Sequence, residues 1–145
     1  MHYWDTSALV KLYVSEPDSP QFAIHSTLTP LLICSELTRW EFFRVLVRKE
    51  TEGVISRGAT QIIYSKFLSD ISAGKISLTP IDRALETRFQ QVVMQLHSLN
   101  PPLLVRTFLV RTFDGIHIAN ADCMARQNLS RLTPTFAAVG LELFP

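Results

Sequence analysis

Along the chain, short apolar runs alternate with longer stretches in which apolar residues recur every three or four positions, the pattern of strands alternating with amphipathic helices. Met1 to Trp4 predicts a strand that runs into Asp5-Thr6-Ser7, three polar residues suited to cap a helix carried by Ala8, Leu9, Leu12 and Tyr13. Glu16-Pro17-Asp18-Ser19-Pro20 predicts a break, followed by a second helix to about Ser26. Leu31-Leu32-Ile33-Cys34 predicts a short buried strand. From Ser35 to Lys49 apolar residues fall at 37, 40, 42, 43, 45, 46 and 47, so this helix is apolar round much of its circumference and is expected at the centre of the core. Gly53 ends that stretch, Ser56 is the expected cap of a helix to about Ser72, and Lys75 to Thr79 predicts a third strand. Ile81 to Leu99 predicts a long helix closed by Asn100-Pro101-Pro102. Val-Arg-Thr-Phe occurs at 105 to 108 and again at 110 to 113, a short local repeat. Thr112 is the expected cap of a helix to about Gln127, and Leu141 to Phe144 is expected as a final strand.

Composition narrows the class. With 145 residues, 47% of them hydrophobic, the chain suits a single domain over 1–145 with its own core. Lys and Arg number 14 against 13 Asp and Glu, for a net charge of +1, so a nucleic-acid partner must be met by a local patch and not by bulk charge. Mean hydropathy is +0.17, and no apolar run approaches the roughly 18 residues that cross a bilayer. Met-His-Tyr-Trp-Asp lacks the basic start and long apolar stretch of a secretory signal. Cys34 and Cys123 stand in no CxxC and at no zinc spacing, so two reduced structural thiols in the cytoplasm are expected. None of the five glycines builds a dinucleotide or P-loop motif.

The candidate chemistry is acidic. In a parallel sheet, ligands collect at the carboxyl ends of the strands, and Asp5 occupies such a position, where its plain alternative is a helix cap. Glu41 lies within Trp40-Glu41-Phe42-Phe43 and loses solvation among bulky apolar neighbours unless a cation or donor compensates it. Arg44 or Arg48 would pair with it in a plain surface salt bridge. Asp114 sits in the first turn of a helix, where the dipole stabilises an anion whatever its role, and His117 follows one turn later, a position more often packed than catalytic. Three such carboxylates would make a hard oxygen site for Mg²⁺ or Mn²⁺ if the fold converges them. A Mg²⁺-dependent phosphatase is the competing enzyme class, but Asp5 is followed by Thr6 and Ser7 and not by the usual Asp-x-Asp.

Three segments carry a family resemblance: Asp5-Thr6-Ser7-Ala8-Leu9-Val10-Lys11-Leu12-Tyr13 with Glu16, Ser35-Glu36-Leu37-Thr38-Arg39-Trp40-Glu41, and Phe113-Asp114-Gly115-Ile116-His117-Ile118-Ala119-Asn120-Ala121. In this order and spacing they resemble the PIN-domain nucleases, in particular the VapC-type toxins of bacterial toxin-antitoxin pairs. The resemblance implies a three-layer α/β/α sandwich with a mainly parallel central sheet, shortened at the C-terminus. It implies a metal-dependent endoribonuclease in which Asp5, Glu41 and Asp114 are catalytic and hold Mg²⁺ or Mn²⁺, with Ser7 and Thr133 as polar supports. The cation would neutralise charge on the scissile phosphate and acidify the attacking water. Glu36 competes for the second role but lies about 140° from Glu41 round an ideal helix, and the family pattern favours Glu41. Where the family carries a fourth acid this chain has Thr135, and Asp122 is too far along its helix to replace it. A degenerate member acting as an RNA- or protein-binding module is therefore the alternative function.

Implied partners are an RNA substrate, a cognate antitoxin and a second copy in a homodimer, with no membrane. Arg44, Arg48 and Arg111 are candidate phosphate contacts. Trp40, Phe42 and Phe43 are expected in the core or an interface, and the run Ile62, Ile63, Tyr64, Phe67, Leu68 carries more apolar surface than one helix face needs.

Overall fold

The computed structural model describes residues 2–28, 31–98 and 112–127. Their contacts divide into two compact units, Met1–Pro80 and Ile81–Pro145, each with its own apolar cluster.

The first unit holds three strands, β1 (His2–Tyr3), β2 (Leu32–Ser35) and β3 (Ile76–Thr79), all parallel and in the order β1-β2-β3. Parallel neighbours need long crossovers. Helices α1 (Thr6–Val10) and α2 (Ser19–Thr27) make the first, and α3 (Leu37–Thr51) and α4 (Ala59–Ser72) make the second. Leu32 is in register with both His2 and Ile76, and Ile33 with both Tyr3 and Ser77. All four residues of the middle strand are buried, which explains its continuous apolar run. The shared direction brings the carboxyl ends of the strands to one edge of the sheet. There Trp4 N–H donates to the Ile33 carbonyl at 2.7 Å and Glu36 N–H to the Thr79 carbonyl at 2.9 Å.

The core of this unit is aromatic at its centre. Phe42 and Phe67 stack with ring centroids 4.3 Å apart, and Tyr13 meets Phe42 edge-on at 5.2 Å. Leu9, Cys34 and Leu46 close the cluster with no exposed surface. Helix α3 is central, as its apolar positions predict, but its circumference is not sealed. Trp40 is 68% exposed, which removes it from the expected core, while Phe42 is fully buried and Phe43 packs edge-on against Tyr64.

The break after α1 is held by charge. Glu16 pairs with Lys49 at the end of α3 and with Lys11, which also bonds Asp18, so the Glu-Pro segment ties two crossovers together. The start of α4 differs from expectation: Gly58, in the left-handed conformation at φ 84°, occupies the cap position in place of Ser56. Glu50 of the preceding helix satisfies the orphan amides there, accepting from Gly58 N–H at 2.9 Å and Thr60 N–H at 3.0 Å.

The second unit contains α5 (Arg83–Ser98) and α6 (Thr112–Gln127). Asp82 caps α5 by accepting from Leu85 N–H at 2.9 Å. Leu85, Val92 and Ala119 form the buried seam, with Phe89, Ile116, Ile118 and Cys123 against it. Asp122 joins the two helices, its Oδ2 accepting from Arg88 Nε and, at 2.7 Å, from Arg126 Nε. Asp122 is thereby engaged in ion pairs with both helices. The expected strand Leu141–Phe144, Thr133, Thr135, Arg111 and the 105–108 copy of the repeat lie outside the described residues. Among the described residues no helix is long and apolar enough to cross a membrane.

Candidate active site at the carboxyl end of β1

Asp5 leaves β1 in extended conformation, at φ −75° and ψ 171°, and caps α1. Its Oδ1 accepts from Ala8 N–H at 2.7 Å, and the Ser7 hydroxyl bonds the same carboxylate, 2.9 Å from Oδ1 and 3.0 Å from Oδ2. Cap and candidate ligand are thus the same side chain. The cap bond fixes one oxygen and the Ser7 hydroxyl steadies both, while the residue stays exposed at the edge of the sheet. Ser7, expected as a polar support, hydrogen-bonds the Asp5 carboxylate.

Glu41, one turn into α3, is half-buried, and its Oε2 accepts a hydrogen bond from the buried hydroxyl of Thr6. One donor to this carboxylate is therefore the residue next to Asp5. Among the described residues no ion pair links Glu41 to Arg44 or Arg48, so the expected surface salt bridge is absent; Arg48 instead lies 3.8 Å from Glu52, one turn on. Thr38 extends the polar line inward: its hydroxyl lies 3.4 Å from that of Thr6 and bonds the Cys34 thiol. Burial pushes that thiol up to about 12.

Tyr3, half-buried at the end of β1, precedes the site in sequence. Burial raises its phenol well above the ordinary tyrosine range, and the negative fields of Cys34, Asp5 and Glu41 push the same way, against a hydrogen bond from the Ser35 backbone. Sequence reasoning singled out neither Tyr3 nor Thr6 as a site residue. The available signal was their position, immediately before and after the Trp4-Asp5 strand end.

Glu36 is exposed at the start of α3, where its backbone amide continues the ladder to Thr79. Asp114 is exposed in the first turn of α6 in the second unit, and His117 is 9% exposed within the same helix, packed as expected. Among the described residues no group of three or more Asp, Glu, His or Cys side chains is placed to hold a metal ion. What the first unit supplies is a pair of hard carboxylate donors, Asp5 and Glu41, each oriented by a neighbouring hydroxyl. Such oxygen donors fit Mg²⁺ or Mn²⁺ and are a poor match for softer metals. Both cysteines are free thiols. No protein-family profile, curated protein or solved structure matches the chain.

Proposed function

We propose that the chain is a metal-dependent endoribonuclease of PIN-domain type, the toxin of a cytoplasmic toxin-antitoxin pair, with an antitoxin protein and a second copy of itself as partners. The observation that carries this is the arrangement at the end of β1: Asp5, held by Ser7 and the Ala8 amide, stands next to the Thr6 hydroxyl that orients Glu41. Catalytic carboxylates need fixed positions, and both have them. The three matching sequence motifs support the same conclusion and add Asp114, with a three-layer α/β/α sandwich as the complete fold. The parallel order β1-β2-β3 is compatible with that architecture.

In this function Asp5 and Glu41 would hold the divalent cation, and the sequence resemblance adds Asp114 as the third acid. Bound there, the cation would offset charge on the scissile phosphate and acidify the attacking water. The chain's own contribution is placement: Ser7 fixes the Asp5 carboxylate, and Thr6 keeps Glu41 turned toward the same strand end.

The test is cleavage of single-stranded RNA by the full chain in Mg²⁺, Mn²⁺ or EDTA. Cleavage should require the metal and fall by on the order of 100-fold or more in Asp5→Asn and in Glu41→Gln. Metal-independent cleavage, or unchanged rates in both variants, would overturn the assignment. RNA binding without cleavage would identify the chain as a binding module.

A further inference from the structure

At the amino end of the sheet, the opposite end from Asp5, the first unit opens a cavity of about 580 Å³ between α2, α4 and the first residues of β2 and β3. That volume falls within the range of small-molecule pockets, roughly 300–1,000 Å³. Leu12, Leu32, Ile62, Ile63 and Ile76 line it with apolar surface. Ile62 is 73% exposed, a large side chain that the fold leaves in water. The polar part of the lining is Tyr13, Lys66, Asp70 and Lys75. Asp70 Oδ1 accepts from Lys66 at 2.7 Å and from Lys75 at 3.0 Å, and Oδ2 accepts from the Tyr13 hydroxyl at 2.9 Å. Two ammonium groups therefore converge on one oxygen atom.

The charge in that corner does not balance. Neutralising Asp70 takes one lysine, and the phenol that completes its bonding is neutral, so the second lysine leaves a surplus positive charge. Each ammonium has three N–H donors and gives one to Asp70, while 58% of the Lys66 side chain and 66% of the Lys75 side chain remain exposed. An apolar chamber with a single cationic corner matches a molecule built the same way, an apolar body ending in one anionic head. The body would take Ile62 and the neighbouring walls out of water, and the head would bridge the two ammonium groups from the solvent side. A protein partner spreads its polar contacts round a rim, whereas here both cations meet at one atom. We propose that this cavity binds a small aliphatic carboxylate, at a site separate from the acids at the end of β1. A surplus of one charge suits a monoanionic head.

The test is calorimetric titration of the full chain with octanoate near neutral pH and at low salt. Octan-1-ol, octylamine and acetate serve as probes that remove the charge, reverse it or remove the body. Octanoate should bind one to a chain, acetate should not bind, and octan-1-ol and octylamine should bind about fivefold more weakly or worse. Lys66→Gln and Lys75→Gln should each weaken octanoate by about threefold to fivefold and leave octan-1-ol unchanged. Ile62→Asn, at an exposed position where folding is not at stake, should weaken octanoate and octan-1-ol alike. Urea unfolding checks that the lysine variants are folded, and Ile62→Asn tests the cavity even where they are not. Octanoate that does not bind, that binds no tighter than octan-1-ol, or that binds equally to all three variants overturns the inference. Tighter binding of octyl phosphate overturns the choice of a carboxylate head. A dimer in sedimentation that Ile62→Asn dissociates overturns the inference as well, since a second copy would then cover the cavity. None of these readouts depends on hydrolysis at the end of β1.

Discussion

The Thr6 hydroxyl donates to Glu41 Oε2 across 35 residues of sequence, joining the first turn after β1 to the first turns of α3. Because Thr6 is buried, its hydroxyl has few other outlets, and the bond sets which way the Glu41 carboxylate points. Thr6→Val removes the donor while keeping the branched shape, and should weaken Mn²⁺ binding about tenfold, as expected for losing a hydrogen bond to a charged group. Thr6→Ser should restore it. Calorimetric titration of the full chain measures both, and equal affinities for wild type and Thr6→Val would separate the hydroxyl from the site.

Asp5 caps α1 and is the proposed metal ligand, and one pair of variants separates the observed role from the proposed one. Asp5→Asn retains a cap acceptor for Ala8 N–H and should leave the denaturation midpoint nearly unchanged while lowering metal affinity. Asp5→Ala removes both and should also cost about 1 kcal/mol of stability. Urea unfolding beside the same titration distinguishes them.

Asp70 gives the first unit an acid-sensitive anchor. Burial by itself would raise its carboxyl, yet Lys66, Lys75 and the Tyr13 hydroxyl bond the charged form and bring it from 3.8 to about 2. Its bonds lie at 2.7 Å to Lys66, 3.0 Å to Lys75 and 2.9 Å to Tyr13. A lowered folded-state value stabilises the fold above the ordinary carboxyl range, and that contribution is lost as pH falls toward about 2. Asp70→Asn should therefore destabilise the chain by about 1.5–3 kcal/mol at neutral pH and flatten the decline in stability between roughly pH 4 and pH 2. Unfolding curves at stepped pH measure this.

The two thiols should differ in reactivity. Cys34 has no exposed surface and is pushed up to about 12, so almost none of it is thiolate at pH 8. Cys123 is half-buried and raised less, by burial first and then by Asp122. An aromatic disulfide reagent should label Cys123 first in the native chain and reach Cys34 only on unfolding. Mass mapping of the labelled peptides gives the order.

Much of the fold is written in local pattern. The apolar spacing of 37, 42 and 46 marks the buried side of α3, the run from Leu32 to Cys34 marks the middle strand, and Asp5 declares itself a cap, because helix and strand periods are properties of neighbouring residues. Two of the candidate acids, Asp5 and Asp114, stand at helix starts, and Glu41 was singled out by its bulky apolar neighbours within α3. Other features belong to tertiary structure alone. That Glu41 answers to Thr6 and not to Arg44, that Glu50 caps α4 through Gly58 and Thr60, and that Glu16 reaches Lys49 all depend on which distant segments become neighbours. The exposure of Trp40 is of the same kind. Its apolar side chain predicts burial, but among the described residues α3 packs against α1, α4 and β2 while Trp40, Arg44 and Arg48 are exposed. Period and capping are decided by contacts three or four residues apart, whereas the partners of buried polar groups are chosen only when crossovers bring separate elements together.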